Sequence, residues 1–398
     1  MPSLTADLEA AARIGADPRG GVSRFAWTPE LAAANDWLAE RLAALGLEVE
    51  LDPAGNVIGR WPAGEGKAVL VGSHLDTVPN GGRYDGALGV LAALDVVRRL
   101  RAEGVELRRP LWVVSFNDEE GGRFQTGTLG SRAYCGDCDL PDWGGRGVPE
   151  AMAGAGLDFA RLPEARGIDG VGAYLELHIE QGPVLEQAGI DLGVVTAITG
   201  MVGYRARFLG EANHAGTTPM AHRRDALAGA ARAVLALRDE ARAREDMTAN
   251  VGVISAEPGG FNVVPGAAEL TIDVRSPTPD GFARLDPFVR GTLERIAAEE
   301  KLGLEVRETH RKQPVALDPV LQDLLERAAA EEGATTLRLP SGAGHDAMVL
   351  AHHVPAAMLF VPSRGGRSHT PDEFSAPEHC ELGARVLARA VRALVLSG

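Results

Sequence analysis

The chain has 398 residues, 45% hydrophobic and 24% charged, with a formal net charge of -15. This is ordinary globular composition, long enough for two domains, and the acidic balance argues against nucleic acid or anionic membrane surfaces as partners. No apolar run approaches the roughly 20 residues of a membrane span, and the N-terminal Met1-Pro-Ser-Leu-Thr-Ala-Asp7 lacks the basic and apolar regions of a signal peptide, so the expected compartment is the cytoplasm.

In chain order, residues 29–46 predict a helix, with Leu31, Trp37, Leu38, Leu42 and Leu45 at helical spacing and Gly46 as the stop. A short strand over 47–51 and a turn over 52–56 follow. The apolar run 68–71 predicts a buried strand, 89–100 a helix, 111–116 a second buried strand and 174–179 a third. Strands alternating with helices, each ending in polar residues, describe an α/β fold with a mainly parallel sheet and its site at the carboxyl edge.

Residues 200–312 have another rhythm: strand (203–209), helix (222–244), strand (249–255), strand (268–274), helix (280–301), strand (304–308). This βαββαβ order is the ferredoxin-like split unit, and it predicts a small domain inserted into a larger one made of 1–199 and 313–398. The larger domain resumes with a helix over 318–332, a strand over 356–361 and a helix over 379–395. Three cysteines, Cys135, Cys138 and Cys380, fit a reducing compartment without a disulfide framework. Cys135 and Cys138 have C-x-x-C spacing but no companion pair, and read as two loop cysteines after a helix.

Metal-ligand residue types stand at several strand ends: His74 with Asp85, Glu119 with Glu120, His178, and His369. Histidines with carboxylates and no thiolate suit a divalent-metal hydrolase site better than a closed structural zinc. One carboxylate can bridge two metals about 3.5–4 Å apart. Asp76, two residues after His74, is placed to hold the imidazole from behind. Adjacent residues leaving a strand diverge, so of Glu119 and Glu120 one can coordinate while the other faces substrate as general base. Taken singly, each has an ordinary explanation, a loop histidine or a solvated acid; their coincidence at several strand ends favours the site.

These residues resemble a known family. The segments Gly72-Ser-His-Leu-Asp-Thr77, Gly81-Gly-Arg-Tyr-Asp-Gly86, Glu119-Glu-Gly121, Glu176-Leu-His-Ile-Glu-Gln-Gly-Pro183, His214-Ala-Gly-Thr-Thr-Pro-Met220, Ser341-Gly-Ala-Gly-His-Asp-Ala-Met348 and Gly365-Gly-Arg-Ser-His369 are similar to the amidase/hydantoinase/carbamoylase branch of the M20 metallopeptidase-like hydrolases. The resemblance runs over nearly the whole chain in the family's order. It implies two divalent ions per subunit (Zn, Mn, Co or Ni): one held by His74, Asp85 and His178, the other by Asp85 as bridge with Glu120 and His369. Glu119 is implied as general base, and Asp76 counts among the catalytic residues as the carboxylate that supports His74. The inserted domain is implied as a lid and dimerisation domain of a homodimer, supplying His214, Asn262 and Arg275 to the substrate, with Gln181, Gly344 and His345 as further contacts.

The residue chemistry is compatible with those roles. A guanidinium such as Arg275 matches a substrate carboxylate bidentately, although a surface pair with Asp273 would serve as well. His214 can donate to a developing oxyanion or cap its own loop, and Asn262 sits where a turn alone explains an Asn. His222, His310, His352, His353 and His379 match no metal position and read as structural or surface residues. The implied activity is hydrolysis of the ureido C–N bond of N-carbamoyl-L-amino acids, releasing L-amino acid, carbon dioxide and ammonia. Allantoate amidohydrolase, beta-ureidopropionase, a dipeptidase or aminoacylase of the same fold, and a non-catalytic binding protein are the alternatives.

Overall fold

The computed structural model describes residues 3–397; Met1, Pro2 and Gly398, touched by the N-terminal and domain readings, lie outside the described residues. The chain divides into two units: Met1–Thr196, Leu317–Leu339 and Ala343–Gly398 form the first, and Ala197–Ala316 with Pro340–Gly342 the second. The expected division at 199/200 and 312/313 differs slightly. The strand ends pair Ala197 with Ala316 and Ile198 with Val315, which carries those residues into the second unit.

Among the described residues the strands are β1 (Glu48–Leu51), β2 (Val57–Trp61), β3 (Ala68–His74), β4 (Leu111–Phe116), β5 (Val171–Ile179), β6 (Leu192–Ile198), β7 (Gly200–Leu209), β8 (Asn213–His214), β9 (Thr248–Glu257), β10 (Val263–Val264), β11 (Ala267–Ser276), β12 (Gly303–Lys312), β13 (Val315–Ala316), β14 (Thr336–Ser341) and β15 (Ala356–Val361). A nine-stranded sheet runs β1-β2-β4-β3-β5-β15-β6-β13, with β14 also paired to β6. Its centre, β4-β3-β5-β15, is parallel. Antiparallel pairs flank the centre on both sides.

The parallel centre follows from the sequence: β3 and β15 are buried along their whole length, as strands covered on both faces must be. The helix Ala87–Ala102 is buried nearly all round. It packs between β3 and the C-terminal helix Pro377–Leu396, which explains apolar side chains on more than one stripe. The helix Pro29–Ala44 starts where expected, with Thr28 accepting a hydrogen bond from Leu31 N–H and Pro29 at its first position. The parallel order brings the last residues of β3, β4, β5 and β15 to one edge. His74 is the final residue of β3, and His178 the penultimate residue of β5.

In the second unit β7, β9, β11 and β12 form a four-stranded antiparallel sheet in the order β12-β7-β11-β9. The helices Ala226–Arg242 and Pro279–Glu299 cover one face of it. Tyr204, Ala206, Phe208, Leu270, Ile272 and Val274 point into that core, while Arg205, Arg207, Glu257 and Glu269 form ion pairs outside it. This alternation is what a sheet with one solvated face requires. The first of these helices starts at Ala226 rather than at 222, because Asp225 caps it by accepting from Leu227 and Ala228 N–H.

The helix before the cysteines is Leu129–Cys135, and it corrects their reading: Cys135 is its last residue and is buried, while Cys138 follows in the loop. Burial raises the Cys135 thiol, and the metal-type clusters found among the described residues contain no cysteine. Among the described residues no helix is long and apolar enough to cross a membrane.

Candidate metal centre

Among the described residues the first unit brings together three groups of ligand atoms, His74 with Asp85 and His178, Asp85 with Glu120 and His369, and Glu176 with His178 and His345; within each, the atoms lie within 4.8 Å of one another, and the first two share Asp85. Asp85 offers each of those two a different oxygen. Its Oδ1 lies 3.2 Å from His178 Nε2 and 3.8 Å from His74 Nε2. Its Oδ2 lies 3.3 Å from His369 Nε2, which is 3.4 Å from Glu120 Oε1.

The imidazoles are oriented by the backbone. His74 Nδ1 donates to the Asp76 carbonyl at 3.0 Å, and His178 Nδ1 to the Ile179 carbonyl at 2.9 Å. That turns Nε2 of each ring toward Asp85, the orientation a metal-binding histidine needs. Gly86 lets the Asp85 loop pass over the ring: its φ is +63°, and a Cβ there would stand 2.4 Å from the His74 imidazole. Gln181 and His369 hold left-handed backbone at φ 58°, a conformation that costs of order 1–3 kcal/mol in a non-glycine residue and persists only where the surroundings impose it.

Asp76 does more than the sequence suggested. Its carboxylate stands 3.6 Å from His74 Nδ1, too far for a hydrogen bond. Instead its two oxygens accept from the N–H groups of Glu119 and Glu120 at 3.2 and 3.1 Å. One residue therefore links the strand end that carries His74 to the loop that carries both glutamates. Glu119 Oε2 sits 3.7 Å from His74 Nε2.

The electrostatics test whether divalent cations suit these residues. Burial first, then the charges of Asp346, Glu120, Asp76 and Asp85, raise the Glu119 carboxyl well above its usual range. Burial and the charges of Asp85 and Asp76 do the same to Glu120. Asp85 goes the other way: burial opposes its charge, but hydrogen bonds from His178 and His369 hold it well below. So many carboxyl groups in one buried place repel one another, and a cation relieves this most directly for those that ligate it. Nitrogen and oxygen donors, oriented imidazoles and crowded negative charge together fit divalent metal ions.

Residues 70–393 match peptidase family M20/M25/M40. The chain belongs to this family. It is 42% identical over 386 residues to an N-carbamoyl-L-amino acid amidohydrolase of Geobacillus stearothermophilus, covering 95% of this chain and 94% of that one. It is 37% identical over 395 residues to an allantoate amidohydrolase of Bacillus subtilis (strain 168), covering 97% and 95%. Among solved structures, an amidase of the hydantoinase/carbamoylase family from Burkholderia multivorans superimposes with a TM-score of 0.91 at 36% identity, covering 99% of this chain and 97% of that one. The M20 chain therefore falls in the hydantoinase/carbamoylase branch.

Around the metal-type residues, the M20 chain places other predicted positions differently from one another. Gln181 Nε2 donates to Asp85 Oδ2 at 2.8 Å, so its amide touches the shared carboxylate. His345 is 1% exposed, its ring edge-on to His178 with centroids 4.5 Å apart, and burial drives its pKa well below the usual value. Gly344 precedes it with open space where a Cβ would stand.

In the second unit His214 and Asn262 are brought together: β8 and β10 pair His214 with Val263, and Ala215 N–H donates to the Asn262 carbonyl. His214 Nδ1 accepts from Gly216 and Thr217 N–H, so the Nε2–H tautomer faces outward as a donor. Arg275, near the end of β11, pairs with Asp273 at 2.7 Å and donates to the Gly342 carbonyl at 2.7 Å.

Three buried charged residues were given no role by the sequence reading, although Glu176 opens the 176–183 motif. Glu176 accepts from Ser73 Oγ, Tyr174 Oη and Ala347 N–H, behind the histidines; it lies two residues before His178 and so shares its face of β5, a clue available from spacing. Arg24, fully buried, donates to the carbonyls of Leu75 and Ala11, and burial lowers it to about 10. Glu373 lies beneath the Asp85 and His369 loops.

Proposed function

We propose that the chain hydrolyses the ureido C–N bond of N-carbamoyl-L-amino acids, releasing the L-amino acid, carbon dioxide and ammonia. The observation that carries this is the Asp85 carboxylate, one oxygen turned to each ligand group, with Glu119 beside it. Support for the substrate class comes from relatives named as N-carbamoyl-L-amino acid amidohydrolases at 42% and 39% identity. The allantoate amidohydrolase at 37% supports allantoate as the second reading, since allantoate also carries a ureido group and a carboxylate.

We assign His74, Asp85 and His178 to one ion and Asp85, Glu120 and His369 to a second, with Zn, Mn, Co or Ni as the candidates for N/O ligation. When bound, such ions supply Lewis-acid polarisation of the carbonyl and a more acidic water. Glu119 takes the proton of the attacking water and returns it to the leaving nitrogen. Asp76 holds the backbone of Glu119 so that this carboxyl stays in place. His214 donates to the oxyanion as the carbonyl carbon becomes tetrahedral. Arg275 and Asn262 bind the α-carboxylate, and Gln181, Gly344 and His345 complete the substrate contacts, so that orientation is set before attack.

The second unit, in this reading, is a ferredoxin-like lid and dimerisation domain of a homodimer. Its edge strand β9 supports that role, with Val253 55% and Ile254 46% exposed and unpaired backbone along one side. The cytoplasm, where Cys135, Cys138 and Cys380 remain free thiols, is the assigned compartment.

The test is ammonia release by metal-defined protein from N-carbamoyl-L-methionine, allantoate and a dipeptide. The carbamoyl amino acid is expected to turn over with the largest kcat/KM, and only in metal-loaded protein. Faster turnover of allantoate moves the assignment to the second reading; turnover of the dipeptide alone refutes both.

A further inference from the structure

Glu373 is 4% exposed although it sits in a loop, where an acid normally meets water. Its Oε1 accepts from Tyr84 N–H at 2.9 Å and Asp85 N–H at 3.0 Å. Its Oε2 accepts from Ser368 Oγ at 2.8 Å, and the same hydroxyl lies 2.9 Å from Asp85 Oδ2. Gly82 leaves the room for this approach: a Cβ there would stand 2.0 Å from the Glu373 carboxylate. The neighbouring side chains hold the same two loops together, Phe374 packing edge-on to Tyr84 with ring centroids 6.0 Å apart.

From this geometry we propose that Glu373 is a positioning residue that registers Asp85 against His369, and so sets the affinity of the ion those two residues share. The proposal rests on the two-ion assignment above. Asp85 and His369 come from opposite ends of the chain and stand on separate loops after different strands. Nothing in either strand sets the distance between them. Glu373 meets this need with one carboxylate, which takes the backbone of the Asp85 loop on one oxygen and the hydroxyl next to His369 on the other. The Ser368 hydroxyl stands between that oxygen and the ligating carboxylate, within hydrogen-bonding distance of either. His74 and His178 are held instead by backbone carbonyls at their own strand ends, so Glu373 reaches the other ion through Asp85 alone, one ligand of three, whereas it reaches the Asp85–Glu120–His369 ion through both loops it joins.

The test is a Co(II) titration of wild type, Glu373→Ala and Glu373→Gln, read by the visible absorption spectrum and by competition with a chelating dye, with activity as a separate readout. Wild type is expected to bind two equivalents; a single equivalent overturns the two-ion assignment itself, and this proposal with it. Glu373→Ala is expected to keep one ion within about threefold and to weaken the other about 10- to 100-fold, the usual cost of removing a group that orients a metal ligand.

Glu373→Gln is expected to restore both affinities. Its amide oxygen can accept from the two N–H groups while its NH2 donates to Ser368 Oγ. A general loss of stability would weaken both ions alike and would not be rescued in this pattern. If folded Glu373→Ala binds both ions within about twofold of wild type, or if Glu373→Gln is as defective as Glu373→Ala, the proposal is wrong. Should Glu373→Ala fail to give a cooperative melt, Glu373→Asp, one methylene shorter, takes its place with the same selective loss expected and the same result overturning it.

Discussion

The metal-type residues of the first unit and the substrate candidates of the second are built on opposite principles. His74, Asp85 and His178 are all but buried, and each is held by a second group: a carbonyl, an amide or a hydroxyl. His214 is exposed on a two-residue strand and Asn262 is exposed in the turn before another, and Arg275 is half-buried against its own neighbour Asp273. A cluster of like charges needs over-determined positions, because burial makes each misplacement costly. Groups that recognise a substrate must exchange partners, so they remain near water with replaceable ones. Changes in the first set are therefore expected to act on catalysis as a whole, and changes in the second to act substrate by substrate.

Glu119→Gln tests the first half hardest. The amide preserves the shape and leaves His74, Asp85, Glu120, His178 and His369 untouched, so metal content measured by elemental analysis is expected to match wild type. It cannot take a proton, and turnover is expected to fall by about 10²- to 10⁴-fold for every substrate alike. An active variant removes Glu119 from the role of base; a variant that loses metal shows Glu119 to be a ligand.

Arg275→Ala tests the second half. Losing a charge-assisted, bidentate partner costs about 1.5–3 kcal/mol, which corresponds to roughly 10- to 100-fold in kcat/KM for substrates with a free α-carboxylate. The comparison predicts almost no effect on the corresponding amide or ester. Equal losses on acid and ester would mean that the variant acts through Asp273 and Gly342, its partners in this structure, and not through substrate.

How much of this was legible from sequence depended on whether a residue's role was local. Apolar runs marked β4 and β15 at their observed bounds, as strands buried on both faces allow, whereas β5 begins at Val171, before the expected 174, and carries Glu176 and His178. β3 proved longer, ending on His74 itself. β2 is interrupted by Gly59 and Arg60, and β6 leads directly into Thr199 and β7, so neither stands out as a separate strand. In the site, the ligand types at strand ends could be read because the chemistry demands them. Asp76 was visible as a partner for His74, but its bonds to the Glu119 and Glu120 backbone depend on how far β3 and β4 extend. Glu373 carried no signal, because an acid in a loop next to Pro371 and Asp372 has the composition of solvated surface. Only the fold shows that the loop turns it inward.

The smallest expected effect separates a geometric coincidence from a site. His353 Nε2 lies 2.9 Å from Asp137 Oδ2, close to Cys135 and Cys138 in sequence, and a histidine, an acid and a C-x-x-C together would suggest a third metal site. The structure argues against it. Cys135 is buried with a raised thiol, and Asp137 is 46% and His353 25% exposed, so the ion pair competes with water. Such exposed pairs contribute about 0–1 kcal/mol. His353→Ala is therefore expected to leave metal content and kcat/KM unchanged within about twofold and to lower the thermal midpoint by at most a degree or two. Loss of a bound ion in this variant would overturn the argument. It would also place a ligand site where neither burial nor partner geometry supports one, undoing the rule that separates the two halves of the comparison.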